Sequence, residues 1–174
     1  MPKRKYNFRD AINFLIILNV LAIPLYVALY TDFSFQPLQD LDAWLMYHTL
    51  KIFGYNVGLD GNNISLNSNG MVEMISVSWD STAWKSMYAL ASLAIATQIL
   101  KLSDRLRFAL VGIGIIFVLN YIRITTTILA SVKFGFDTFD LIHGLLWREG
   151  MILAVLVIWI LWMRREKYNI AEIK

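Results

Sequence analysis

The sequence has no cysteine among its 174 residues. Disulfides, thiolate-bound metals and a cysteine nucleophile are therefore excluded for this chain as it stands. Charge is scarce as well. Asp, Glu, Lys and Arg supply 17% of the residues and hydrophobic types 57%, where soluble domains run at about 45–50% apolar. A chain this short cannot bury that excess, so lipid is the expected solvent. The net charge of +3 does not point to nucleic acid. Its Lys and Arg residues sit in short clusters at the ends of apolar runs, the pattern that orients membrane proteins. No internal repeat, low-complexity tract or linker is visible, and residues 1–174 read as a single membrane-embedded domain.

Four stretches meet the need for about 20 mostly apolar residues per crossing. They are residues 11–30, with Pro24 inside, 82–100, 106–130 and 141–163. The basic start MPKRKYNFRD followed by an apolar run is similar to a signal peptide. The run is too long and has no clear small-residue cleavage site, so it reads as a retained anchor. Lys3, Arg4, Lys5 and Arg9 precede the first span, Lys101, Arg105 and Arg107 join the second to the third, and Arg164, Arg165 and Lys167 follow the fourth. This alternation places both termini in the cytoplasm and residues 31–81 and 131–140 outside. The expected fold is an all-α polytopic membrane protein with an outer amphipathic helix and a small β-hairpin. Within 41–55, Leu41, Trp44, Leu45, His48 and Ile52 have the spacing of a helix lying at the interface. Beyond it, Asn-Gly and Asp-Gly steps with Ile64, Leu66, Val72, Met74, Ile75 and Val77 suggest the hairpin. Asn63-Ile64-Ser65 is a glycosylation sequon on the expected outer side.

Ionisable groups inside a bilayer cost about 2.5–3.5 kcal/mol on insertion scales and mark sites or pairs. The second span carries Lys85, the third Asn120 and Arg123, and the fourth His143, Arg148 and Glu149. The charge-derived topology puts Ser81, Arg123 and His143 in the outer leaflet on three different helices. Read singly, each has a plain alternative. Asp80 and Ser81 suit a helix cap, Arg123 can snorkel or bind a lipid phosphate, and His143 can be a lone interfacial histidine. Arg148 and Glu149 can neutralise each other or pair with Lys85. His48 reads as simply exposed, and Trp44, Trp79, Trp84 and Trp147 as an interfacial belt. Together, a hydroxyl, a guanidinium and an imidazole in a low-dielectric outer pocket suit acyl transfer.

The order of motifs, WDSTAWKS at 79–86, NYIRI at 120–124 and LIHG at 141–144, resembles the exosortase/archaeosortase family of polytopic membrane cysteine transpeptidases over roughly residues 70–165. In that family the nucleophile lies in a pattern like D-C-T-G-W-K-S, the arginine comes from an N-x-x-R segment, and the third residue is a histidine or an arginine. The resemblance implies Ser81 at the nucleophile position, Arg123 as the catalytic arginine and His143 as the third residue. Asp80, Lys85, Asn120 and Arg148 are supporting candidates; Lys85 follows Ser81 by four residues and is expected on the same helix face. No metal or cofactor is implied. The implied partners are secreted proteins with a C-terminal sorting signal made of a short motif, a membrane helix and a basic tail; the acceptor is a lipid, a glycan or water. Two positions depart from the family, Ser81 for cysteine and Ala83 for the commoner glycine. A serine hydroxyl has no accessible anion comparable to a thiolate. The chain is therefore expected to be an inactive form in which Ser81 replaces a native cysteine. The rival readings are a natural serine enzyme, a natural pseudoenzyme, and a small transporter or assembly factor that binds without cutting.

Overall fold

The structure, a computed structural model, describes residues 8–68, 71–98, 100–134 and 147–172, without the side chains of 68, 71, 147–149 and 167–172. The described residues are mostly helical. Helix α1 spans Phe8–Tyr30 and α2 Gln36–Ile52. Strands β1 (Asn56–Asp60), β2 (Asn63–Ser68) and β3 (Met71–Ser76) follow, then a 3-10 turn over Trp79–Thr82. Helices α3 (Trp84–Ala96), α4 (Leu102–Phe134) and α5 (Trp147–Glu172) complete the order. The chain divides into two compact units. One comprises Met1–Phe33, Lys85–Ile115 and Ala154–Lys174; the other comprises Ser34–Trp84 and Ile116–Leu153.

In the first unit, α1 has no buried residue, and Leu15, Ile16, Val20, Ile23 and Val27 are exposed. A 23-residue helix is about 35 Å long, enough to cross a hydrocarbon core of about 30 Å. Its polar groups are satisfied close by. Asn19 donates to Leu15 O at 2.8 Å. Tyr88 donates to Leu21 O at 2.6 Å, next to the Val20 carbonyl that Pro24 leaves without its intrahelical donor. A small core gathers Ala94, Ala109 and Trp162, with Phe108 stacked on Trp162 at 3.9 Å between ring centroids. Gly112 lets α4 approach α3 closely, since a Cβ there would lie 2.5 Å from Leu90 Cδ2. Arg105 Nη1 donates to Ile95 O at 2.6 Å. One of the cations expected to face the cytoplasm thus also caps the C-terminus of α3, where a positive charge meets the negative end of the helix dipole.

In the second unit, α2 buries Gln39, Asp42, Ala43, Met46 and Leu50. This is the side opposite the expected interfacial set: Leu41, Trp44, His48 and Ile52 are exposed. The helix therefore has two working faces, and the spacing of the larger apolar residues picked the outer one. Ala43, Met46 and Leu50 join Ile64, Leu66, Val77 and Ile128 in the core. Thr125 Oγ1 reaches Met46 Sδ at 3.5 Å, and the hydroxyls of Thr49 and Tyr121 meet in a short hydrogen bond.

The expected hairpin is a three-stranded antiparallel sheet in the order β1-β2-β3. The Asp-Gly step closes the first turn, with Asp60 opposite Asn63. Gly61 there takes a positive φ of 56°, as the first central residue of a tight II′ hairpin requires. The Asn69-Gly70 step lies outside the described residues. The pairs Ile64↔Ile75 and Leu66↔Glu73 put Ile64, Leu66 and Ile75 on the core side. Val72 (63% exposed) and Met74 (67%) point away; the expected apolar set mixed the two faces, which alternate at a period of two.

Among the described residues, two of the four expected spans have helices long and apolar enough to cross a membrane, α1 and α4. The second is shorter than the apolar run 82–100 suggests: α3 has 13 residues, about 20 Å, because the 3-10 turn and Ala83 take its first two positions and the helix already ends at Ala96. The fourth begins at 141–146, outside the described residues; α5 starts at Trp147.

Candidate active site

The site belongs to the second unit and is built by the 3-10 turn, the C-terminal half of α4 and the inner face of α2. The turn is fixed by its own short-range bonds: Ser81 N donates to Ser78 O at 3.0 Å and Thr82 Oγ1 to Trp79 O at 2.8 Å. Ala83 then takes φ 56°, ψ 20°, a left-handed conformation that L-residues other than glycine, asparagine and aspartate rarely adopt. Trp79 and Trp84, on either side, stack with centroids 5.1 Å apart and planes at 15°. The stack closes the loop over the reversed residue. Two sequence expectations change as a result. Ser81 lies inside a 3-10 turn and does not cap α3. Lys85, exposed beyond the Ala83 break, shares no helix face with Ser81. Asp80 is exposed within the turn.

Ser81 is held through its backbone. Asn120 Nδ2 donates to Ser81 O at 2.9 Å, tying the first motif to the second. Asn120 is completely buried and opens a polar seam on α4 that continues through Arg123, Thr127 and Ser131, all buried. Intervals of three and four residues keep these groups on one side. The Thr127 and Ser131 hydroxyls donate to Arg123 O and Thr127 O, at 2.9 and 2.8 Å. They are thereby consumed within the helix and serve as packing. A hollow of about 30 Å³ beside Ser81 is lined by Ile75, Ser76, Val77, Ile124, Thr127 and Ile128.

Sequence reasoning missed Asp42. It is 1% exposed on the inner face of α2, the helix that packs against the 3-10 turn. Burial pushes its carboxyl up from 3.8, and the nearby Arg123 charge only partly offsets this, leaving it at about 7. The two side chains interact through their charges, yet Asp42 Oδ2, Arg123 Nε and Asn120 Oδ1 are buried and without hydrogen-bond partners among the described residues. Such atoms are rare in folded proteins because each costs about 1–3 kcal/mol. Three in one seam mark a place where polarity serves something other than stability. The available signal was an acidic residue on the less apolar side of an amphipathic helix, which ordinarily means solvent.

His143 lies outside the described residues. Arg148 and Glu149 lie in the first turn of α5, and their side chains are outside the description. The structure thus brings together Ser81 and Asn120 by direct contact and Asp42 and Arg123 by charge.

Ser81 Oγ is 2.9 Å from Ser78 Oγ. A neighbouring hydroxyl is too weak a base to generate an alkoxide, so the described surroundings of Ser81 favour a group that ionises by itself near neutral pH, as a thiol does. The buried guanidinium is suited to stabilising developing negative charge. No curated protein and no solved structure matches the chain. Residues 8–163, however, match the model of the transmembrane exosortase family. A match over that extent identifies a membrane protein and supports a transpeptidase-type function; the chain belongs to the transmembrane exosortase family.

Proposed function

We propose that the protein is the catalytic chain of a membrane endopeptidase and transpeptidase that cleaves C-terminal sorting signals of secreted proteins at the outer membrane face and transfers them to an acceptor such as a lipid. In this reading the chain crosses the membrane four times with both termini in the cytoplasm. Helices α1 and α4 are full crossings, and α3 is a shortened one accommodated by local thinning. The substrate's membrane helix packs beside these helices and its basic tail stays inside.

The single observation that carries the reading is the Asn120–Ser81 hydrogen bond. It ties the residue that opens the N-x-x-R segment, one helical turn before Arg123, to the backbone of Ser81, which supports reading position 81 as the nucleophile position. With a cysteine at position 81, the thiolate attacks the scissile carbonyl and forms a C–S bond. Arg123 stabilises the oxyanion, and His143 gives a proton to the departing amine as the C–N bond breaks. His143 then takes the acceptor's proton as the acceptor attacks the thioester and releases the sulfur. Asn120 keeps the attacking residue in place. Asp80, Lys85 and Arg148 are the supporting polar groups of this reading. With Ser81 the same centre binds a sorting signal without cutting it, because among the described residues Ser81 Oγ meets the hydroxyl of Ser78 and not a base.

Co-expression with a tagged sorting-signal substrate tests this. S81C is expected to restore processing, and Arg123→Ala or His143→Ala in that background to reduce it by about 10²–10³-fold, the usual loss when an oxyanion donor is removed. The Ser81 form is expected to co-purify with uncut substrate. No processing by S81C, or processing that survives Arg123→Ala, overturns the mechanism.

A further inference from the structure

A buried carboxylate beside a buried guanidinium ordinarily forms a direct pair, because an uncompensated charge away from water is costly. Asp42 and Arg123 interact through their charges but leave one atom each outside any such pair. Asp42 Oδ2 and Arg123 Nε have no hydrogen-bond partner among the described residues, although the two side chains are 1% and 8% exposed and their charges interact. As a device for stability this is poor, since an apolar pair of similar volume would serve as well or better. Its placement suggests another use. Asp42 lies on α2, which packs against the 3-10 turn of Ser81, and Arg123 lies one turn after the asparagine that holds Ser81 O.

We propose that Asp42 is a positioning residue of the transpeptidase centre, balancing the charge of Arg123 and so setting the positive potential at position 81. This deepens the function proposed above and rests on its assignment of position 81 as the nucleophile position. Left alone, Arg123 would hold a thiol at position 81 strongly ionised. A thiolate of very low pKa is a weak nucleophile, and the best attacking thiol has a pKa near ambient pH. Asp42 tempers that field while its open geometry leaves the guanidinium able to meet an oxyanion. Its carboxyl, raised to about 7 by burial, gives the balance a dependence on pH. On the elements around it, Asp60 and Asp80 are exposed, Asp40 is half-buried near Gly61, and β2 carries no charge. Arg123 is the buried charge that faces it among the described residues.

The chain has no cysteine, so S81C creates a unique thiol whose pKa is readable from the pH dependence of its alkylation in detergent-solubilised full-length protein. In the S81C background, Asp42→Asn is expected to lower the apparent thiol pKa by about one unit, within the range by which neighbouring charges shift such groups. Alkylation below the parent's midpoint then quickens by up to tenfold. Arg123→Gln is expected to move the midpoint the opposite way by a similar amount, and Asp42→Glu to keep the parental profile. Asp42→Ser, which also removes the carboxyl, is read beside Asp42→Asn in case the latter does not accumulate, and the same downward shift is expected. An unchanged midpoint overturns the proposal. So does a shift in the same direction as Arg123→Gln, which would mean that Asp42 only props the arginine in place. Alkylation needs no substrate. Absent processing by S81C therefore counts against the proposed function, while an unmoved thiol in an enzyme that still processes substrate counts against this inference alone.

Discussion

The two units handle polar groups in opposite ways. In the first, most of the hydrogen-bonding groups described inside apolar surroundings find partners nearby: Asn19 on Leu15 O, Thr97 on Leu93 O, Trp159 Nε1 on Thr97 Oγ1 and Arg105 Nη1 on Ile95 O, although Arg105 Nε is left unpaired among the described residues. These bonds end helices and anchor a connection. In the second unit, Asp42, Asn120 and Arg123 are more deeply buried and keep atoms unpaired among the described residues. The contrast separates polarity that solves a folding problem from polarity that creates one. A membrane protein needs the first kind wherever a helix bends or stops. The second kind survives where a site needs it.

The largest effect that sharpens this contrast is expected at Asn120. Asn120→Ala removes the donor to Ser81 O and leaves that carbonyl facing a nonpolar gap, which costs about 1–3 kcal/mol. The 3-10 turn loosens, so processing in the S81C background should fall more than stability alone predicts. Asn19→Ala, in the first unit, removes an exposed bond within one helix and should change stability by no more than about 0.5 kcal/mol. Thermal unfolding in one detergent, with processing measured in parallel, checks both. Equal losses at the two sites would erase the distinction between the units.

A smaller effect concerns pH. Because the Asp42 carboxyl is raised above its unfolded value, the folded protein binds more protons than the unfolded one between about pH 4 and pH 7. In that window the contribution of Asp42 to stability falls as pH rises, and above about 7 it levels off. A carboxylate held in a strong ion pair would show the reverse trend. Melting of the parent and of Asp42→Asn across pH 4–8 is expected to converge at the acid end and to separate toward neutrality, with Asp42→Asn the more stable there. The reverse separation would show that Asp42 is ionised and stabilised by Arg123, so that its polarity serves stability as the hydrogen bonds of the first unit do.

How much of this was legible beforehand depended on which residues carried the signal. Apolar length exposed α1 and α4, since lipid demands long uninterrupted runs. The run 82–100 was misleading because hydropathy registers neither the end of α3 at Ala96 nor the backbone reversal at Ala83, which removed Lys85 from the face of Ser81. The turn residues Asp60 and Gly61 announced β1–β2, but β1 itself, NVGLD, has too few apolar residues to be read as a strand and gains its place by pairing with β2. Asn120 and Arg123 were readable as one face because three residues make nearly one helical turn. Asp42 was not, because its burial is imposed by packing between α2, the 3-10 turn and α4, distant segments that no local pattern connects. Ser81 was found through the order of motifs; its 3-10 setting, which excludes the capping role, could come only from the fold.

The smallest expected effect tests the turn itself. Ala83 holds a left-handed conformation with φ 56° and is buried, at the position where the resemblance favours glycine. A Cβ in this region costs about 1–2 kcal/mol. Glycine removes that strain but loses about 0.5–1 kcal/mol of chain entropy on folding. The difference predicts that Ala83→Gly stabilises the protein by about 0.5–1 kcal/mol, visible as a rise of a few degrees in melting temperature. The same change in a right-handed helical position of the first unit, such as Ala94, is expected to destabilise, because there glycine brings only its entropic cost and an unfilled methyl site. Opposite signs at the two alanines would establish that the strain belongs to the 3-10 turn. If Ala83→Gly also destabilises, the stacked Trp79 and Trp84 rings depend on the alanine methyl for packing, and the backbone around position 81 is held by side-chain contacts more than by its own turn geometry.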